Sequence, residues 1–276
     1  MSTSKFTTTE LSDPRFESNN LRFITVKTPN LKGRGDICVF VPENCENKTG
    51  LPIITLMHGV YGSAWIWAHK AGVHFTAQRL IDEGKLQPII LAMPSDGLWG
   101  DGSAYLPHNE LNFENWIVKD VPDAVKESIP QANKNSKQCI SGLSMGGYGA
   151  LRLGLKYYNQ YTAVSGHSSI TAIDQMPLFV EEDVKVYQQK TVAENAVIQI
   201  AIDNKENLPP FRFDCGKEDL LIEYNRKLHK ELVEANIDHV YEEFEGEHEW
   251  SYWKKHIEDT LLFFDGILKK NKNHDY

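Results

Sequence analysis

Near its start the chain twice alternates apolar with polar side chains, in LRFITVKT (residues 21–28) and in GDICVFVP (35–42). A strand sends successive side chains to opposite faces, so this pattern predicts two half-buried strands. The pattern then changes. PIITLMHG (52–59), QPIILAMPS (87–95), KQCISGLS (137–144) and YTAVSGHSS (161–169) are short, continuous apolar runs that stop at glycine or serine. Such runs predict strands covered on both faces, as the inner strands of a parallel sheet are.

Helical patterns fall between them. HFTAQRLIDEG follows the first run, FENWIVKDVPDAVKESI precedes KQCIS, and MGGYGALRLGLKYY follows Ser144. Later, Leu221, Tyr224, Leu228 and Leu232 recur on one helical stripe, as do Trp253, Ile257, Leu261, Phe264 and Leu268. Strands alternating with helices predict right-handed βαβ units: an α/β protein with a mainly parallel central sheet and helices on both faces. Residues 170–208 break the rhythm. They are polar and mixed, which predicts an insertion over the sheet edge. Residues 1–15 and 271–276 read as polar tails around a single domain, 16–270.

Composition narrows the function. The 276 residues suit one large domain, and 41% of them are hydrophobic, enough for a substantial core. A net charge of −9 and no basic stripe argue against a nucleic-acid or anionic-membrane partner. No apolar run is long enough to span a bilayer, and the first fifteen residues hold no apolar signal segment. Cys38, Cys45, Cys139 and Cys215 form no CxxC pair and read as four reduced thiols of a cytoplasmic protein. The oligomeric state is left open, a homo-oligomer included.

The chemistry centres on CISGLSMGGYGALRLGL (139–155), where Ser144 stands between Gly142 and Gly146 at the join of a strand and a helix. A serine hydroxyl attacks only when a base takes its proton and the fold exposes its oxygen. A very tight strand-to-helix turn exposes it, and side chains two residues away on either side would collide there. The helix that begins at Met145 aims its N-terminus at a developing oxyanion, with the Met145 N–H as first donor. Upstream, His58-Gly59 ends a buried strand, which makes the Val60 N–H the second donor and His58 a brace for the loop.

The base is expected late in the chain, in a loop at the carboxyl end of the sheet. His248, in EFEGEHEWSYW between a strand and the last helix, fits that place. His167 also follows a strand and is its rival, otherwise a residue of the pocket floor. His229 and His256 fall in helices, His239 opens a strand and His274 lies in the tail. For the acid, FRFDCGKEDLL runs from strand to helix with Asp214 inside the strand, so Asp219 leads and Glu218 is second. The order Ser144, Asp219, His248 is that of the α/β-hydrolases.

HGVYGSAW, MPSDGLWGDGSAYL, GLSMGGYGALRLGLKYYNQYTAVSGHSS, DCGKEDLL and GEHEWSYW together resemble the putative-esterase (esterase D-like) family, over roughly residues 20–270. The resemblance implies an α/β-hydrolase fold, with Ser144, Asp219 and His248 as catalytic triad and the Val60 and Met145 amides as oxyanion hole. The S-formylglutathione hydrolases of that family carry Thr-Cys after His-Gly-Leu, whereas here the block reads His58-Gly59-Val60-Tyr61-Gly62.

Nothing in the sequence calls for a cofactor or a metal: His69 and His74 lie five apart, HEWSYWKKH is not HExxH, and Asp96 and Asp101 read as turn formers. Trp65, Trp67, Trp99, Tyr105 and Trp250 fall in loops around the site and predict, with His167, an aromatic substrate pocket. The expectation is a serine carboxylesterase acting on small acyl or aryl-acyl esters. The alternatives are an acyltransferase, a glutathione thioester hydrolase, or a non-catalytic binding protein on the same fold.

Overall fold

The computed structural model describes residues 4–272. Its main sheet has nine strands: β1 (Thr9–Leu11), β2 (Leu21–Thr28), β3 (Gly33–Phe40), β4 (Ile53–Met57), β5 (Ile90–Pro94), β6 (Gln138–Leu143), β7 (Tyr161–His167), β8 (Phe211–Gly216) and β9 (Val240–Phe244). They lie in the order β1-β2-β3-β5-β4-β6-β7-β8-β9. From β5 to β9 every neighbouring pair is parallel, while β1, β2 and β3 close one edge antiparallel. The half-buried pattern of β2, the fully buried β4 and β5, and β6, buried from Cys139 onward, follow the alternating and continuous apolar runs that predict them.

Helices cover both faces. On one lie α1 (Ile66–Ala71), α2 (Val73–Asp82) and the long C-terminal helix α7 (Trp250–Lys272). Trp67, Leu80, Trp253, Ile257 and Leu261 pack there on Leu56, Leu91 and Leu143. On the other lie α3 (Val121–Ser128), α4 (Met145–Lys156), α5 (Val197–Asp203) and α6 (Ile222–Glu234), with Trp116, Val121, Leu151, Ile200 and Leu228 packed on Ile53, Ile140 and Phe213. A π-helical turn, Trp116–Asp120, leads into α3. No helix among the described residues is long and apolar enough to cross a membrane. Cys38, Cys45, Cys139 and Cys215 are free thiols, all buried.

Three expectations change. The N-terminal segment is not a loose tail from residue 4 onward: Phe6 joins the core, Lys5 pairs with Asp120 and Asp123, and β1 adds an edge strand to β2. Helix α7 runs to Lys272, beyond the expected start of the C-terminal tail; the rest of that tail, His274 included, lies outside the described residues. Residues 170–208 do not hang over a sheet edge. They join the inner neighbours β7 and β8 as short 3-10 turns and α5, and they bury Ile173, Met176, Val180, Tyr187, Val197 and Ile200 in the core. The apolar residues are too irregularly spaced there to show a period.

Candidate active site

The strand-to-helix turn after β6 is as tight as its glycines imply. A Cβ added at Gly142 would lie 2.3 Å from the Gly146 carbonyl oxygen, and one at Gly146 would lie 2.4 Å from the Met57 oxygen and 2.5 Å from that of His58. All are backbone atoms that cannot swing aside. Ser144 itself has φ 53° and ψ −119°, a conformation that costs a non-glycine residue about 1–3 kcal/mol and persists only where the surroundings enforce it. They do so with hydrogen bonds: the Ser144 N–H donates to the His167 carbonyl at 2.9 Å, and the Ser144 carbonyl accepts from Tyr148 and Ile170.

Ser144 Oγ lies 3.0 Å from His248 Nε2, and His248 Nδ1 lies 2.9 Å and 3.0 Å from the two carboxylate oxygens of Asp219. One hydrogen-bonded chain therefore joins residues from the ends of β6, β8 and β9. With Nδ1–H donating to the carboxylate, Nε2 is left free to accept the serine proton. The Asp219 side chain has no exposed surface, and one of its oxygens also accepts from the Leu221 N–H at 2.8 Å. Glu218, the second candidate acid, points elsewhere: its carboxylate accepts from the Gly246 N–H at 2.8 Å.

The loop after β4 lies against this serine. A Cβ at Gly59 would come within 3.3 Å of the Ser144 Cβ. His58 holds the loop in shape: its Nδ1–H donates to the Gly59 carbonyl at 2.6 Å, and its Nε2 accepts from the Asp96 N–H at 3.1 Å. Asp96 in turn accepts from Leu98 and Ser103 N–H groups, a turn former as its sequence context implies. Met145 is the first residue of α4, and among the described residues neither its N–H nor that of Val60 donates to another protein group. Both amides are thus available for a ligand oxygen.

The expected aromatic pocket is only partly there. Trp67 is buried under the loop, with its indole N–H on the Met57 carbonyl at 3.0 Å. Tyr105 is fully buried and donates to the His58 carbonyl at 3.0 Å. His167 is fully buried too: its ring pairs with Asp214 at 2.9 Å and meets Thr260 at 2.9 Å, so it is neither base nor pocket floor. Trp65 is half exposed, Trp99 packs edge-on against His108 and Tyr187, and Trp250 packs edge-on against Trp67 and Trp253. The rings against the His248 imidazole are others, Phe179 at 5.2 Å and Trp253 at 5.0 Å. Trp253 carries a helical stripe signal only, and Phe179 sits in the segment that lacks any period. A Tyr61 hydroxyl bond to the Phe179 carbonyl ties that ring to the loop carrying Val60.

A family model described as putative esterase matches residues 28–264. The chain belongs to the putative esterase family. It is a carboxylic ester hydrolase of the serine esterase kind, on an α/β-hydrolase fold. Within this family's reach, the chain is 28% identical over 267 residues to an acetyl esterase of Caldicellulosiruptor saccharolyticus, covering 90% of this chain and 92% of that one. A solved ferulic acid esterase superposes with a TM-score of 0.79 at 21% identity, over 95% of this chain and 99% of its own. An S-formylglutathione hydrolase of Staphylococcus aureus gives 0.74 at 17% identity, over 92% and 98%.

Proposed function

We propose that this esterase cleaves short-chain acyl or small aryl-acyl esters through an acyl-enzyme on Ser144. His248 Nε2 takes the Ser144 proton as Oγ attacks the ester carbonyl, and Asp219 holds the imidazole and stabilises its cation. The carbonyl oxygen becomes an oxyanion held by the Val60 and Met145 N–H groups. The C–O bond to the alcohol then breaks, and His248 returns the proton to the leaving oxygen. Water repeats the sequence on the acyl-enzyme, releasing the acid and regenerating Ser144.

The observation that carries this reading is the unbroken chain from Ser144 Oγ through His248 to Asp219. Enclosure supports a small substrate: Ser144 is 2% exposed and Phe179 covers the imidazole. The acetyl esterase relative points the same way. Four free, buried cysteines support a cytoplasmic setting, where thiols stay reduced.

The test is covalent labelling with a fluorophosphonate, which reacts only with an activated serine. Labelling of the wild type at Ser144, lost together with p-nitrophenyl acetate hydrolysis in Ser144→Ala, is the expected result. For that variant kcat falls roughly 10⁴- to 10⁶-fold; hydrolysis kept within tenfold would overturn the mechanism.

A further inference from the structure

The chain holds another buried aspartate–histidine pair that the proposed reaction does not use. Asp214 in β8 lies beside His167 at the end of β7, and both side chains are fully buried. Three partners surround the carboxylate. His167 Nδ1 lies 2.9 Å from Oδ2, the Tyr252 hydroxyl donates to Oδ1 at 2.9 Å, and Arg212 Nη1 forms an ion pair with Oδ2 at 2.9 Å. Burial alone would push the Asp214 carboxyl up, but His167, Arg212 and Tyr252 outweigh it and hold it below the usual range. The other ring nitrogen of His167 meets the Thr260 hydroxyl at 2.9 Å, and Arg212 also donates to Thr260.

A buried charge cluster of this kind is weak evidence for stability, because apolar residues of the same volume often serve as well. What sets this one apart is where its arms lead. The His167 carbonyl accepts the Ser144 N–H, one of the bonds that hold the strained serine, and the Asp214 carbonyl accepts the N–H of Ser168 at 2.7 Å. Tyr252 lies in the first turn of α7, four residues past His248. Its ring packs on Gly246, where an added Cβ would come within 2.8 Å of it, at φ 138°. One side of the carboxylate therefore leads to the serine turn and the other to the His248 loop.

We propose that Asp214 and Tyr252 are positioning residues of this esterase: the Asp214 carboxylate, gripping His167 under the serine turn and Tyr252 under the His248 loop, sets the Ser144–His248 separation. The inference rests on Ser144 and His248 acting as nucleophile and base. Neither Asp214 nor Tyr252 touches a reacting atom. Their effect passes through geometry, where a misplacement of about 1 Å costs on the order of a hundredfold in rate.

Tyr252→Phe tests it, because the ring stays in place and a single hydroxyl is lost. With p-nitrophenyl acetate, kcat should fall roughly tenfold while KM stays within about twofold, and the rate of fluorophosphonate labelling should fall by the same factor. In a His248→Ala background the same change should cost nothing further, since groups acting as one unit are not additive. Unchanged kcat and labelling in Tyr252→Phe would overturn the proposal, as would the same loss persisting without His248. If Ser144→Ala is inactive in the same assays, that failure belongs to the positioning role alone; an active Ser144→Ala would overturn the mechanism and this role together.

Discussion

His248 Nε2 lies 3.0 Å from Ser144 Oγ across 104 positions of the chain. The contact exists because β6 and β9 run in the same direction within one sheet, so the loops that leave them emerge on the same side. Asp219 follows β8, which lies between β6 and β9 in the same sheet, and so emerges on that side too.

Asp219→Asn should lower kcat by about 10⁴-fold, because the amide oxygen would stay on the Leu221 N–H and the amide NH2 would face Nδ1, favouring the tautomer whose Nε2 carries the proton and removing the anion that stabilises the imidazolium. Glu218→Gln should cost far less, as the exposed Glu218 side chain accepts from the Gly246 N–H and does not reach His248. Steady-state kinetics of the two variants decides the assignment; a crippled Glu218→Gln beside a nearly normal Asp219→Asn would move the acid by one residue.

Gly146→Ala should either prevent folding or, in any soluble fraction, abolish fluorophosphonate labelling, because the new methyl group would press on two backbone carbonyl oxygens. Gly266→Ala is the control. It lies exposed in α7, where an added Cβ meets nothing within 4 Å, and should stabilise the protein by about 0.4–1 kcal/mol in a urea titration. Normal labelling of Gly146→Ala would mean that the turn has more room than its contacts allow.

Substrate size should show an optimum. Each added methylene in a fitting pocket brings at most about 0.8 kcal/mol, and a site as enclosed as that of Ser144 then turns to steric loss. Values of kcat/KM for p-nitrophenyl esters from C2 to C16 should peak between C2 and C6. A steady rise to C12 with activation at a lipid interface would contradict it.

Acid should weaken the clamp between α4 and the segment after β7. Arg152, with no exposed side-chain surface, pairs with Glu114 at 2.5 Å and with Glu194 at 2.6 Å, and Lys156 reaches both carboxylates. Burial pushes the Glu114 carboxyl up, but Arg152, the Tyr157 hydroxyl and Lys156 prevail and hold it below its ordinary value. The folded protein thus binds that proton more weakly than the unfolded chain. The resulting stability is fully present above the unfolded value of about 4.3 and is lost as pH falls through the lower folded value. Glu114→Gln should therefore cost about 3–5 kcal/mol at pH 7, by leaving Arg152 short of a partner, and distinctly less near pH 3. Urea titrations at the two pH values measure both; an equal cost at each would show that the charge of Glu114 is immaterial.

Ser144 was legible in the sequence because a strand-to-helix turn this tight excludes all but glycine two positions away on either side, a demand written in Gly142 and Gly146. Asp219 and His248 were legible only as places in loops after strands. Asp219 against Glu218 is a question of which way two adjacent carboxylates point, and His248 against His167 depends on the Asp214 that occupies the His167 ring. The aromatic walls were the least legible. Trp67 turns inward with Ile66, Ala68 and Ala71 in α1, a helix too short for its period to show which tryptophan faces the core and which a ligand. Phe179 carried no signal, since its neighbours follow no helical or strand period.

The four buried cysteines give the protein a built-in set of clocks. Burial pushes the thiols of Cys38 and Cys139 up to about 12 and raises those of Cys45 and Cys215 as well, so the reactive thiolate is scarce while the fold is closed. A disulfide reagent can then modify each thiol only when its surroundings open. Cys38 lies in β3 on the antiparallel margin, Cys139 in β6 on the approach to Ser144, and Cys215 in β8 on the approach to Asp219. The modification rate at each site, separated by mass spectrometry, converts into a local opening free energy. The unaltered protein thus reports whether its margin, its centre and its acid-bearing side breathe together or apart.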